Sequence, residues 1–145
     1  MAERIWFNKD ISLQQLQGFN RGTMSAHLAM EWVEIGDRHL AIRMPVDERT
    51  KQPYGFLHGG ASCALAETAG SVASHLVVDP SEFYCVGLEI NANHLRPVTE
   101  GYVTAVATAI HLGRSTHVWD IRITDSKQRL ACICRLTVAI VKKEG

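Results

Sequence analysis

The chain has 145 residues, with fifteen basic and fifteen acidic side chains and a formal net charge of zero. Its length suits a single domain, and 46% hydrophobic and 21% charged residues are ordinary values for a folded globular protein. Binding to nucleic acid by phosphate neutralisation normally needs a basic excess, so we expect no nucleic-acid partner. We expect one domain over residues 1–145.

The sequence also argues against a membrane protein. The N-terminal residues 1–10 contain no apolar run of signal-peptide length. The longest weakly charged stretch, 61–78, is interrupted by Glu67 and falls short of the roughly 20 mostly apolar residues that a span requires. We therefore expect no membrane partner and a cytoplasmic location.

The four cysteines, at positions 63, 85, 132 and 134, lack the CxxC spacing of zinc sites. Cys132 and Cys134 would share one face of a strand, which predicts buried free thiols. We expect no metal and no cofactor.

Hydrophobic periodicity and turn residues predict the elements in chain order. A short helix at 12–18 precedes two strands at 29–35 and 40–44, which a turn joins into a hairpin. A loop at 50–57, marked by Pro53 and Gly55, leads to a helix at 58–78. Four strands then follow at 84–94, 101–112, 115–124 and 130–141.

Short joins at 99–101, 113–114 and 125–127 predict that these four strands form a meander of antiparallel hairpins. The helix at 58–78 is apolar on most of its surface and needs a concave partner to cover it. A curved antiparallel sheet of about six strands would wrap it. The predicted fold class is therefore α+β, with one long central helix.

Glu67 is the one ionisable carboxylate between residues 61 and 78. An unpaired carboxylate in an apolar site is costly, and no cation stands at helical spacing from Glu67. Ser71, one turn further on, could donate a hydrogen bond. One explanation for Glu67 is a structural hydrogen-bond network. The other is a role as nucleophile or general base, and the lack of a cationic neighbour favours this second explanation.

The same helix begins at His58-Gly59-Gly60. A helix N-terminus carries unpaired N–H groups and a partial positive charge, and glycine allows close approach to that backbone. Such an end suits an oxyanion that develops on a carbonyl. The alternative interpretation is an entry turn with His58 as a polar cap.

Gly59 and Glu67 are eight residues apart, which is about 12 Å along a helix. A nucleophile and an oxyanion donor must both lie about 3 Å from one reacting group, so one helix cannot supply both. Two antiparallel copies can, because each N-terminus then lies beside the middle of the other helix. This geometry predicts a homodimer with two equivalent shared sites.

Three separated blocks, at 49–74, 86–98 and 110–115, resemble the hotdog-fold acyl-CoA thioesterases. The closest branch includes the enterobactin-pathway proofreading thioesterase, dihydroxynaphthoyl-CoA thioesterase and the glutamate-using hydroxybenzoyl-CoA thioesterases. The resemblance covers nearly the whole chain. It implies the hotdog fold, an acyl-CoA thioesterase activity and dimers that usually pair again into tetramers.

The resemblance implies a role for each matching residue. Glu67 matches the catalytic carboxylate, and the Gly59 N–H with the Gln52 side chain would polarise the thioester carbonyl from the opposite subunit. His58 matches a histidine beside the leaving thiolate or acyl carbonyl. The matching substrate-binding positions are Ser71, His94 and Gly60.

The resemblance further implies that CoA lies along three stretches of the chain. The matching residues are Gly87, His94, Leu95, Arg96, His111, Gly113, Arg114, Ser115 and Thr116. Cationic side chains and loop N–H groups suit a phosphorylated ligand, although Arg96 and Arg114 could also be solvated arginines at strand ends. Glu67 could attack the carbonyl or activate water, and the sequence does not distinguish these two roles.

Three other functions remain as alternatives. A non-catalytic acyl-CoA sensor could use the same fold, but the residues before Ala29 are too few and too neutral for a DNA-binding module. An enoyl-CoA hydratase would need an Asp/His pair, and the central helix has no aspartate. A thioesterase acting on an acyl or aryl carrier protein is the third. The resemblance favours aromatic or hydroxyacyl groups.

Overall fold

The computed structural model describes residues 3–145, which form three helices and six strands. The helices are Leu13–Phe19 (α1), Met24–His27 (α2) and Gly59–Val77 (α3). The strands are Glu31–Ile35 (β1), His39–Pro45 (β2), Phe83–His94 (β3), Tyr102–Leu112 (β4), Thr116–Thr124 (β5) and Leu130–Lys142 (β6).

The six strands form one antiparallel sheet in the order β1-β2-β4-β5-β6-β3. Helix α3 contacts every strand from β2 to β6, so the sheet curves around it. This is the predicted α+β hotdog architecture, with one long helix against six strands. Strand β3 lies at one edge of the sheet, and its outer side pairs with no other described strand.

Helix α3 packs its small apolar residues on the sheet and keeps one narrow face outward. Its buried residues are Ser62, Leu65, Ala66, Ala69, Gly70, Ala73, Ser74 and Leu76. A Cβ at Gly70 would lie 2.5 Å from Leu136 and 3.2 Å from Ile121, so glycine permits the close helix–sheet approach. The outward face includes Ala64, Glu67, Thr68 and Ser71, which are all partly exposed.

One predicted connection is wrong: strands β3 and β4 do not form a hairpin. Strand β3 pairs with β6, and β4 pairs with β2. The N–H groups of Leu95 and Arg96 both donate to the Ala131 carbonyl, at 2.8 and 3.2 Å, which ends β3 against β6. The chain then crosses the end of the sheet, where the Val98 carbonyl accepts from Leu57 N–H at 2.8 Å.

The other differences lie before β2. Helix α2, capped by Thr23, was not predicted, and β1 begins at Glu31 because Ala29 has a positive φ of 55°. The chain before α1 packs on the fold, since Trp6 is fully buried and donates to the Gly36 carbonyl at 2.8 Å. None of the described helices is long and apolar enough to cross a membrane.

Candidate active site

The first turn of α3 leaves one backbone donor free. His58 is the N-cap, and its Nδ1 accepts from Gly60 N–H at 2.8 Å. The N–H of Gly59 donates to no acceptor within residues 3–145. His58 therefore acts as the polar cap of the alternative interpretation, and Gly59 rather than Gly60 offers a donor to a bound oxyanion.

The loop before α3 orients the side chain of Gln52 toward the same end of the helix. Gln52 Oε1 accepts from the N–H of Tyr54, which assigns the other terminal atom as the amide nitrogen and leaves its two N–H groups free. Gln52 and Gly59 line one cavity of about 330 Å³. Two donors, one from backbone and one from side chain, thus face the same space.

His94, the last residue of β3, covers the start of α3. A Cβ placed on Gly59 would lie 3.0 Å from His94 Nε2, so the imidazole lies directly on the glycine backbone. On its other side, His94 Nδ1 lies 3.5 Å from Cys132 Sγ. His94 lines the cavity together with Leu95 and Arg96.

Glu67 lies two turns further along α3. Ser71 Oγ donates to Glu67 Oε1 at 3.1 Å, as the helical spacing predicted. The carboxylate packs on the backbone of Gly87 in β3, where a Cβ would overlap Oε1. In the described part of the chain no cationic side chain pairs with this carboxylate.

The predicted site residues thus form two groups within one chain. We name the first the donor group, consisting of Gln52, His58, Gly59 and His94. The second, the carboxylate group, consists of Glu67, Ser71 and Gly87. Glu67 lies eight positions beyond Gly59 on α3, about 12 Å at the helical rise, so one chain does not bring the two groups together.

The residues expected to contact CoA are distributed over three places. Gly87 lies at the carboxylate, and the segment 94–96 lies at the donor group. Gly113, Arg114 and Ser115 line a cavity of about 760 Å³ at the C-terminal end of α3, beside Lys142. His111 lies over Gly113, whose N–H donates to the Thr116 carbonyl at 2.9 Å.

His117, which lines this larger cavity, belongs to a buried polar network. Trp119 Nε1 donates to Ser74 Oγ at 2.7 Å, and Ser74 Oγ lies 3.0 Å from His117 Nδ1. His117 is 2% exposed. Burial, and secondarily the nearby His111, lowers the pKa of His117, so the ring is neutral and can accept the Ser74 proton.

Sequence reasoning did not identify Cys132, His117 or Lys142 as neighbours of the predicted residues. Each comes from β5 or β6, and its position follows from the strand pairing, which local patterns do not determine. His94 pairs with Cys132 in the β3–β6 register. The described residues include no cluster of three or more His, Cys, Asp or Glu side chains that could hold a metal ion.

Comparison with known proteins gives a match to the thioesterase superfamily model over residues 54–132. This range includes the donor group except Gln52, and all of the carboxylate group. The 1,4-dihydroxy-2-naphthoyl-CoA hydrolase of Escherichia coli is 50% identical over 137 residues, which cover 94% of this chain and 99% of that protein.

Two solved thioesterases have the same fold. A glutamine-to-alanine variant from Pseudomonas aeruginosa aligns with a TM-score of 0.93 and 50% identity, over 96% of this chain and 99% of that one. A Staphylococcus aureus protein, 46% identical, has been solved as two alanine variants. The structure of its glutamate-to-alanine variant aligns over 83% of this chain and 99% of that chain, with a TM-score of 0.81. The structure of its glutamine-to-alanine variant aligns over 81% of this chain and 97% of that chain, with a TM-score of 0.79.

Proposed function

The chain belongs to the thioesterase superfamily, and we propose that it hydrolyses acyl-CoA thioesters with Glu67 as the catalytic carboxylate. The observation that carries this proposal is the setting of Glu67. It is the one carboxylate of α3, it has no cationic partner in residues 3–145, and it is held by Ser71 and the Gly87 backbone. A carboxylate kept in place without a charge partner is available for chemistry.

In the proposed reaction, water and the thioester give a carboxylic acid and the free thiol of CoA. Glu67 either attacks the carbonyl carbon, forming a mixed anhydride that water then hydrolyses, or removes a proton from the attacking water. The Gly59 N–H and the Gln52 amide would donate to the carbonyl oxygen as it becomes negative. A single turnover in oxygen-labelled water separates the routes, because only the anhydride route can transfer label into Glu67.

The variants of the Staphylococcus aureus relative support the choice of Gln52 and Glu67. The glutamine and the glutamate replaced in its two structures are fifteen positions apart in its chain. Gln52 and Glu67 have the same separation here. In this chain Gln52 has an amide group available as a donor, and Glu67 has no cationic partner in residues 3–145.

Both groups can act on one thioester only if two copies of the chain assemble. We propose a homodimer in which the donor group of one protomer faces the carboxylate group of its partner. Strand β3 offers the surface for this, because its outer edge pairs with no strand in residues 3–145 and its residues Tyr84, Val86 and Leu88 are exposed. An unpaired, apolar edge strand readily pairs with another strand.

Two-fold symmetry fixes the register of this pairing. In one protomer Gly87 lies at Glu67 and His94 lies at Gly59. An axis that brings Glu67 to the partner's Gly59 must therefore bring Gly87 to the partner's His94. The axis would cross β3 between Ile90 and Asn91 and pass Cys63 on α3. Two such dimers would pair again into the tetramer that the sequence resemblance implies.

We propose an aromatic or hydroxyacyl group as the acyl portion of the substrate. Support comes from the relationship to the Escherichia coli enzyme, whose name specifies a dihydroxynaphthoyl group. For the CoA portion, Arg114 and Lys142 at the larger cavity and Arg96 at the smaller one supply cations suited to phosphate.

The test is thiol release from a panel of aromatic and aliphatic acyl-CoAs, with Glu67→Gln measured beside the wild type. We expect Glu67-dependent hydrolysis, fastest for naphthoyl- or benzoyl-type esters. The variant should lose at least about 10²-fold in kcat and keep its assembly mass. Hydrolysis by Glu67→Gln at the wild-type rate would contradict the role of Glu67.

The remaining alternatives correspond to other outcomes of this test. Inactivity on every CoA ester combined with turnover of an acylated carrier protein would favour the carrier-protein thioesterase. Tight binding of acyl-CoA without any turnover of either substrate would favour the sensor.

A further inference from the structure

A chain of two thiols runs from the interior of the sheet to His94. Cys132 and Cys134 are adjacent inward-facing residues of β6, each 1% exposed, with their sulfur atoms 3.5 Å apart. Cys132 Sγ also lies 3.5 Å from His94 Nδ1. The imidazole therefore has a buried sulfur at one nitrogen and the backbone of Gly59 beneath the other.

The direction of the Cys132–His94 hydrogen bond follows from the chemistry of the two groups. An unprotonated imidazole nitrogen is a good acceptor, whereas a thiol sulfur is a weak one. The favoured arrangement has Cys134 donating to Cys132 Sγ and Cys132 donating to His94 Nδ1.

We propose that Cys132 is a positioning residue that holds His94 in the tautomer with its proton on Nε2. Because Nδ1 is occupied as an acceptor, the proton of the neutral ring must reside on Nε2. That atom would lie 3.0 Å from a Cβ on Gly59, and His94 lines the same cavity as Gly59 and Gln52. The ring then presents a third donor to the position of the thioester carbonyl.

The catalytic consequence of this inference rests on the proposed function, whereas the tautomer of His94 does not depend on it. With the opposite tautomer, Nε2 would present a lone pair to the carbonyl oxygen and repel it. The thiol thus acts through His94, without touching substrate. All of the groups involved belong to one protomer, so the inference does not depend on the proposed dimer.

The first measurement is nitrogen NMR of histidine-labelled protein at mildly alkaline pH, with the His94 signals assigned by their loss in His94→Gln. We expect the wild type to hold His94 in the Nε2-protonated tautomer alone. Cys132→Ala should give a mixture of both tautomers, whereas Cys132→Ser, which keeps a hydroxyl donor, should restore the wild-type pattern. A wild-type ring protonated on Nδ1 would overturn the inference even if no thioester substrate has been found.

The second measurement is a double-mutant cycle in the thiol-release assay. Loss of one hydrogen bond should lower kcat of Cys132→Ala by about three- to tenfold with little change in KM. The same substitution should have no further effect in a His94→Ala background, since the thiol acts only through the ring. An equal loss in both backgrounds would show a merely structural role and contradict the proposal.

Cys134→Ala is the matched control, because it removes a neighbouring buried thiol that does not contact His94. We expect it to lower the urea midpoint as much as Cys132→Ala does, while the tautomer stays on Nε2. Equal tautomer mixing in both variants would mean that general loosening of β6, and not the Cys132 thiol, determines the state of His94.

Discussion

The carboxylate of Glu67 rests on the backbone of Gly87, with no room between them for a side chain. The single carboxylate of helix α3 thus lies at one of the contacts between this helix and strand β3. The sequence resemblance implied that Gly87 contacts CoA. The structure shows a contact of this glycine with the proposed catalytic group, and the two roles differ in their kinetic consequences.

Gly87→Ala should therefore lower kcat. The added methyl overlaps Glu67 Oε1 and forces the carboxylate away, and a displacement of that size can cost about 10²-fold in rate. Steady-state kinetics on the preferred acyl-CoA, with the assembly mass measured in parallel, tests this. An unchanged kcat with a raised KM would instead identify Gly87 as a CoA contact.

Gln52→Glu separates the two functions of the Gln52 side chain. Glutamate keeps an oxygen to accept from Tyr54 N–H, so the loop should stay intact, but it has no N–H to offer the carbonyl oxygen. We expect kcat to fall by about 10²-fold or more. Gln52→Ala, which loses both functions, should show a similar fall in kcat plus a lower melting temperature. Full activity of Gln52→Glu would exclude the amide as a donor.

Much of the fold was predictable because its signals are local. The apolar period of α3, its glycine-marked start and the alternating pattern of the strands each depend on neighbouring residues. The connection between β3 and β4 was not predictable, because the pairing of these strands depends on which edges the rest of the sheet leaves free. The N–H groups of Leu95 and Arg96 both donate to the Ala131 carbonyl, a contact between distant segments that only the structure reveals.

The candidate site likewise has some residues that local sequence reveals and others that only the fold reveals. Glu67 stands out as a lone charge in an apolar helix, and Gly59 by its place at the helix start. The Gln52 amide, the contact of His94 with Cys132 and the fit of Glu67 on Gly87 are contacts between distant segments, which no spacing along the chain reveals. For Gln52 and His94 the sequence supplied only a resemblance.

Ser74→Ala should destabilise the protein while leaving the active site in place. The variant removes the partner of the buried Trp119 N–H and of His117 Nδ1, and each unsatisfied buried group costs about 1–3 kcal/mol. Urea unfolding measures the loss. Ser71→Ala is the control, because its partly exposed hydroxyl bonds only Glu67. The free energy of unfolding of this control should change little. Equal losses of stability in the two variants would contradict a stabilising role of the buried network.

Acid should weaken the fold through His117. Burial lowers the pKa of this ring below its ordinary value of 6.5, so on acidification the unfolded chain takes up the proton first. The free energy of unfolding should therefore fall as the pH drops below about 6.5. Burial also lowers the pKa of His75, with the same sign. Urea unfolding between about pH 7.5 and 5.5 should show a shallower slope for His117→Gln than for the wild type, and identical slopes would contradict this account.

The proposed shared site makes a prediction about mixed dimers. Gly59 is the first residue of α3, and His58 before it has the extended backbone that proline prefers, with a ψ of 131°. Gly59→Pro should therefore keep the helix and delete the N–H. Gly59→Ala adds a side chain near His94 but keeps the N–H, so it should retain more activity than the proline variant.

The decisive measurement is the turnover of a purified heterodimer of Glu67→Ala and Gly59→Pro subunits, prepared by co-expression with two different affinity tags. Each homodimer should be inactive. The heterodimer contains one site with both an intact carboxylate and an intact donor group, so we expect about half the turnover of the wild-type dimer. A verified heterodimer that is as inactive as its parents would contradict a site assembled from two copies of the chain.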